Sequence, residues 1–130
     1  MENSKKPGQL DTTKLILVAE DDDINFFFIT MALDKEPFTI IRARNGQEAV
    51  EISEKTPEIG LIFMDIKMPV MNGIEATRII KATNPNKIIV AITAYALVGD
   101  REKTMEAGCD DYLSKPIQKS ELIKMINKYM

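Results

Sequence analysis

The chain has no histidine and a single cysteine, Cys109. The missing imidazole excludes the most. Ser–His–Asp triads and most zinc sites need it. A protein that handles phosphate without histidine cannot first carry it on a histidine of its own. One cysteine excludes an internal disulfide and suits a cytosolic setting. No apolar run approaches the ~20 residues that span a bilayer. The opening "MENSKKPGQLDTT" has lysines but no apolar h-region, so it does not read as a signal peptide. A net charge of −3 lacks the basic excess that points to nucleic acid.

What is present is ordinary for a globular domain: 130 residues, 45% apolar and 28% charged, enough for one core. Residues 1–13 are polar, contain Pro7 and Gly8, and read as a flexible tail or linker before a domain at 14–130. From there two periods alternate. Five β-type segments, "LILVA" (15–19), "FTIIRA" (38–43), "LIFMD" (61–65), "IIVAIT" (88–93) and "DYLSK" (111–115), are separated by helical patterns. The first, third and fourth are almost continuously apolar, as in strands buried on both faces of a parallel sheet. Ile24, Phe27, Phe28 and Met31 follow an i, i+3, i+4, i+7 spacing that predicts a core-facing stripe, with Phe26 partly exposed in a docking patch. Asn45 with Glu48, and Asn72 with Glu75, have the spacing of box-like helix starts, and Gly108 suits the residue after a helix end. The order (βα)5 predicts an α/β fold with helices on both faces of a parallel sheet.

In such sheets ligands bind beyond the carboxyl ends of the strands. Polar residues interrupt the apolar runs at those ends. Glu20, Asp21, Asp22 and Asp23 follow the first segment; Asp65 ends the third, Thr93 the fourth and Lys115 the fifth. Clustered carboxylates repel unless one takes a proton or a cation holds them. Oxygen ligands with water to spare suit Mg2+, which would also neutralise an incoming phosphoryl group. Carboxylate attack on phosphorus is established nucleophilic chemistry, so Asp65 is a candidate phosphoacceptor beside Lys115 and Thr93. Asp22 and Asp23 read as helix N-terminal acids. Asp21, Asp23 and Asn25 spell the start of an EF-hand loop, but Phe26 and Ala32 stand where Gly and Glu are required.

"ILVAEDDDIN", "IFMDIKMPVMNG", "VAITA" and "DYLSKPI", in this order and spacing, closely resemble response-regulator receiver domains of two-component signalling, over residues 14–130. The resemblance implies a flavodoxin-like doubly wound sheet of strand order 2-1-3-4-5. It implies Asp65 as phosphoacceptor, and Glu20, Asp21, Asp65 and the backbone carbonyl of Lys67 around Mg2+ (or Mn2+). Asp21 is then a direct ligand, and Glu20, in place of the commoner Asp, acts through water. Thr93 matches the switch hydroxyl, Tyr112 the switch aromatic and Lys115 the phosphate-contacting lysine. Ala94 leaves room for phosphate, and Lys115–Pro116 is expected to be cis. Lys67 and Tyr95 match positions that tune autodephosphorylation. The implied partners are a histidine kinase or a histidine phosphotransfer protein, with no direct nucleic-acid or membrane contact, in a cytoplasmic and monomeric domain.

The runs "EDDDIN", "MPVMNGIEATR" and "AGCDDYLSKPI" look more like receivers of hybrid histidine kinases than of transcription factors, and a stand-alone regulator is the alternative. An aspartyl-phosphate phosphatase resembling the haloacid dehalogenase group would need an acid two residues after the nucleophile, where Lys67 stands. A degenerate docking module would require loss of the acids, Thr93 or Lys115, and none is lost.

Overall fold

The computed structural model describes residues 15–94 and 98–130, apart from the side chains of residues 98–100. The expected tail at 1–13, and Tyr95, lie outside the described residues. The elements alternate as β1 (Leu15–Ala19), α1 (Asp23–Ala32), β2 (Thr39–Ala43), α2 (Gly46–Lys55), β3 (Ile59–Asp65), α3 (Gly73–Thr83), β4 (Ile89–Thr93), α4 (Val98–Ala107), β5 (Asp111–Ser114) and α5 (Lys119–Tyr129). All strand pairs are parallel and the order is β2-β1-β3-β4-β5, as expected.

Side chains alternate across the sheet, so the apolar strands feed two cores. Ile16, Val18, Leu61, Phe63, Val90 and Ile92 face Ile29 of α1 and Leu122 and Ile126 of α5. Leu17, Ala19, Ile62, Met64, Ile89 and Ala91 face Ala49 and Val50 of α2 and Ala76 and Ile80 of α3. The predicted helix starts are present: Asn45 accepts from the Glu48 amide at 2.8 Å and Asn72 from the Glu75 amide at 2.9 Å. Gly108 follows α4 with φ +115°, a conformation that favours glycine.

Two expectations need correction. β3 begins at Ile59, not Leu61. Leu15 pairs with Ile59 and Ile16 with Leu61, so Gly60 sits in a register shift that breaks the apolar run. The second correction is larger. Ile24, Phe27, Phe28 and Met31 do not face the core; they are 79%, 62%, 45% and 58% exposed. Ile29 and Ala32 fill the core instead, while Phe26, expected to be partly exposed, is partly buried against it.

Candidate functional site

The four consecutive carboxylates after β1 have separate fates. Asp22 caps α1, its Oδ1 accepting from the amides of Ile24 (2.8 Å) and Asn25 (3.0 Å). Asp23, in the first turn, pairs with Arg42 at 2.8 Å and Arg44 at 3.1 Å. Those two guanidinium groups, Arg42 first, hold its carboxyl below the usual range. Glu20 and Asp21 turn the other way. With Asp65 they form a group whose carboxylate oxygens, one from each residue, all lie within 4.8 Å of one another.

Asp65 is held at the end of β3 by parallel pairing to β4 and by close packing of α3. The Gly73 amide donates to the Ile66 carbonyl at 2.8 Å, and a Cβ at Gly73 would collide with the carbonyl of Asp65. The Lys67 amide donates to Asp65 Oδ1 at 3.3 Å. Lys115 Nζ donates to Asp65 Oδ2 at 3.1 Å and lies 3.3 Å from Glu20 Oε1. The Lys115–Pro116 bond is cis.

Glu20 has no exposed surface, and its Oε1 forms no hydrogen bond. Burial first, then the Asp65 carboxyl beside it, push Glu20 up to about 8, although Lys115 pulls the other way. Burial works against the Lys115 charge as well, but Asp65 and Glu20 outweigh it and raise Lys115. Lys115 thus pairs with two of three close carboxyl groups. The three close carboxyls, the oxygen-only donors and the Glu20 Oε1 without a hydrogen bond fit a hard divalent cation that keeps some of its water.

Glu20, Asp21, Asp65, Lys67, Thr93, Ala94 and Lys115 line one pocket of ≈ 180 Å³. Seven of the nine expected site residues thus meet, with Pro116 in the neighbouring groove. Tyr112 lines a different groove, with Glu121 and Met125. Tyr112 is partly buried, and the Arg101 guanidinium stands 4.8 Å above its ring. Sequence reasoning missed two residues. Asn25 also lines the pocket, one helical turn after the acids. Arg42, whose signal is a lone charge inside "TIIRA", ties the acid run to β2. Cys109 is buried beside Thr77, and burial pushes its thiol up, which fits a packing role.

The chain is similar to known proteins in sequence and in fold. The chain is 44% identical over 122 residues to hybrid signal transduction histidine kinase G of Dictyostelium discoideum, covering 88% of this chain but only 3% of that kinase. It is 35% identical to the receiver domain of sensor histidine kinase PA1611 from Pseudomonas aeruginosa, solved with a magnesium ion coordinated in its active site cleft. The TM-score is 0.83, over 89% of this chain and 96% of that one. It is also 35% identical, with a TM-score of 0.81 over 88% of this chain and 87% of that one, to the structure of the Saccharomyces cerevisiae histidine phosphotransfer protein Ypd1 with the receiver domain of Ssk1. The response regulator receiver domain model matches residues 16–127. Sheet order, the acids gathered at its carboxyl edge and this match agree: the chain belongs to the response regulator receiver domain family.

Proposed function

We propose that this receiver domain takes a phosphoryl group onto Asp65 from a histidine on another protein or domain, in a reaction that needs Mg2+. The observation that carries this reading is the joint placement of Asp65, Glu20, Asp21 and Lys115 in one pocket of a chain with no histidine. One Asp65 carboxylate oxygen attacks phosphorus, the P–O bond forms as the P–N bond breaks, and the electron pair returns to the donor imidazole. Glu20, Asp21, Asp65 and the Lys67 carbonyl would hold the cation, which when bound would supply positive charge between the carboxylates and the entering phosphoryl oxygens. Lys115 Nζ, already on Asp65, neutralises one oxygen, and Thr93 reports the phosphate by hydrogen bonding to it. Tyr112 then repacks, changing the surface of α4, β5 and α5 that partners read. Lys67, which lines the pocket, sets the phosphate's lifetime by hindering an attacking water.

The exposed face of α1 supports a protein donor. Ile24 and Phe28 line an apolar groove with Pro116 and Ile117 that shares Asn25 and Lys115 with the acid pocket. Any histidine that reaches Asp65 brings its own protein over this rim. The Ypd1 complex of a similar receiver fits a histidine phosphotransfer protein as donor. The likeness to a hybrid kinase receiver supports an origin in a hybrid sensor kinase, on its cytoplasmic side.

The test compares two donors. With a histidine-phosphorylated phosphotransfer protein, Ile24→Ser is expected to slow uptake about tenfold, the effect of losing one well-packed contact residue. With acetyl phosphate the variant should match the unsubstituted chain. Equal rates from the protein donor would remove α1 from the docking surface. Failure of the unsubstituted chain with both donors would refute phosphoacceptance.

A further inference from the structure

Arg42 touches neither the pocket nor any candidate ligand side chain, yet it grips the segment that carries two of them. Its Nε and Nη2 donate to the Glu20 carbonyl at 3.1 and 2.9 Å. Its Nη1 meets Asp23 at 2.8 Å, and its guanidinium carbon stands 4.5 Å over the Phe26 ring. The Glu20 amide, in turn, donates to the Ala43 carbonyl at 3.0 Å. The Glu20 carbonyl belongs to the rigid peptide plane that leads into Asp21. Fixing that plane fixes the direction in which the Glu20 and Asp21 side chains leave the chain. The side chain of Arg42 is only 15% exposed, so its bonds to the Glu20 carbonyl are part-buried even though Asp23 is largely exposed.

We propose that Arg42 is a positioning residue for the cation site: one guanidinium on β2 binds three points of the β1–α1 segment and holds Glu20 and Asp21 ready for Mg2+. Outer-shell groups of this kind orient metal ligands, and their loss weakens metal binding about 10–100-fold. The inference rests on the cation site proposed above. Lysine is a poor substitute, because a single ammonium lacks the planar fork that reaches the carbonyl, the carboxylate and the ring together.

The direction of the effect separates positioning from simple charge. Arg42 is a cation near an acidic pocket, so its long-range field opposes Mg2+, and removing it would tighten binding if charge alone mattered. Positioning predicts the reverse. The experiment is calorimetric titration of the metal-free chain with MgCl2, comparing the unsubstituted protein, Arg42→Met and Arg42→Lys, with urea midpoints recorded without metal. Mg2+ affinity should fall at least tenfold in Arg42→Met and less in Arg42→Lys. Acetyl phosphate uptake should need more Mg2+ for half-maximal rate while the rate at saturating Mg2+ is kept. Unchanged or tighter affinity in a folded Arg42→Met overturns the proposal. If Arg42→Met does not fold, Arg42→Lys decides: weaker binding supports the proposal and equal binding overturns it. Absence of Mg2+ binding by the unsubstituted chain refutes the cation site and this inference with it, which distinguishes that failure from loss of the Arg42 role alone.

Discussion

Lys87 and Lys115 stand at opposite ends of one sheet, and their surroundings shift them in opposite directions. Lys87 precedes β4 at the amino edge. Its Nζ donates to the carbonyls of Pro57 (3.2 Å) and Ile59 (2.6 Å), and burial lowers it, with Glu58 only partly offsetting that. Lys115 follows β5 at the carboxyl edge, where Asp65 and Glu20 overcome burial and raise it. Near Lys87, Asp110 is matched as well: it pairs with Lys81 at 2.8 Å and accepts from the Ile89 amide at 2.9 Å. At the carboxyl edge the buried Glu20 Oε1 has no hydrogen bond, and Lys115 pairs with Glu20 and Asp65 in a group of three close carboxyls. A buried charge whose bonds are complete fastens a fold, whereas an unbalanced cluster at a strand end awaits a partner.

The comparison predicts contrasting responses to the same substitution. Lys115→Met removes the cation proposed to meet the phosphoryl oxygens, and acetyl phosphate uptake is expected to slow about 100-fold, the scale of losing one charge-stabilising group. An uptake rate within a few-fold of normal would place Lys115 outside the chemistry. Lys87→Met should leave that rate unchanged and lower unfolding free energy by about 2 kcal/mol, because two enclosed carbonyls lose their donor. Denaturant titration and uptake rates on both variants would show whether the two effects separate; a stability loss from both with equal uptake would erase the contrast.

A smaller effect sharpens the account of Glu20. Its raised value means the metal-free carboxyl keeps its proton at neutral pH, so Mg2+ must displace a proton to use it. Mg2+ affinity should therefore climb as pH rises and level off above about 8. The same shift stabilises the metal-free fold at low pH, and that contribution should fade between the unfolded value of 4.5 and about 8. Titration in buffers of different ionisation enthalpy would show proton release near neutrality. A flat affinity from pH 6 to 8 would mean that Glu20 is already ionised.

Much of the fold was legible because β1, β3 and β4 are short, nearly pure apolar runs, and the polar residues that end or follow the strands mark the carboxyl edge. Asp65, Thr93 and Lys115 fall at or just beyond the ends of three strands, so their meeting follows from topology alone. The phase of α1 was not legible. "INFFFITM" is apolar around most of its circumference, and Ile24, Phe27, Phe28 and Met31 fit helical spacing as well as Phe26, Ile29 and Leu33 do. Only the tertiary placement of Phe26 under Arg42 chooses between them. The partners of Arg42 and Lys87 were hidden for a related reason: they are backbone carbonyls at Glu20, Pro57 and Ile59, which no residue pattern announces.

The central claim, that Asp65 is the phosphoacceptor of a cation-dependent site, is tested most directly by intact mass after incubation with acetyl phosphate and Mg2+, and with a phosphohistidine donor if the small donor fails. Asp65→Asn, a nearly isosteric change, and a chelator serve as controls. A gain of one phosphate that disappears in both controls while Asp65→Asn stays folded is the predicted result. The same gain in Asp65→Asn, or no gain from either donor, would contradict it.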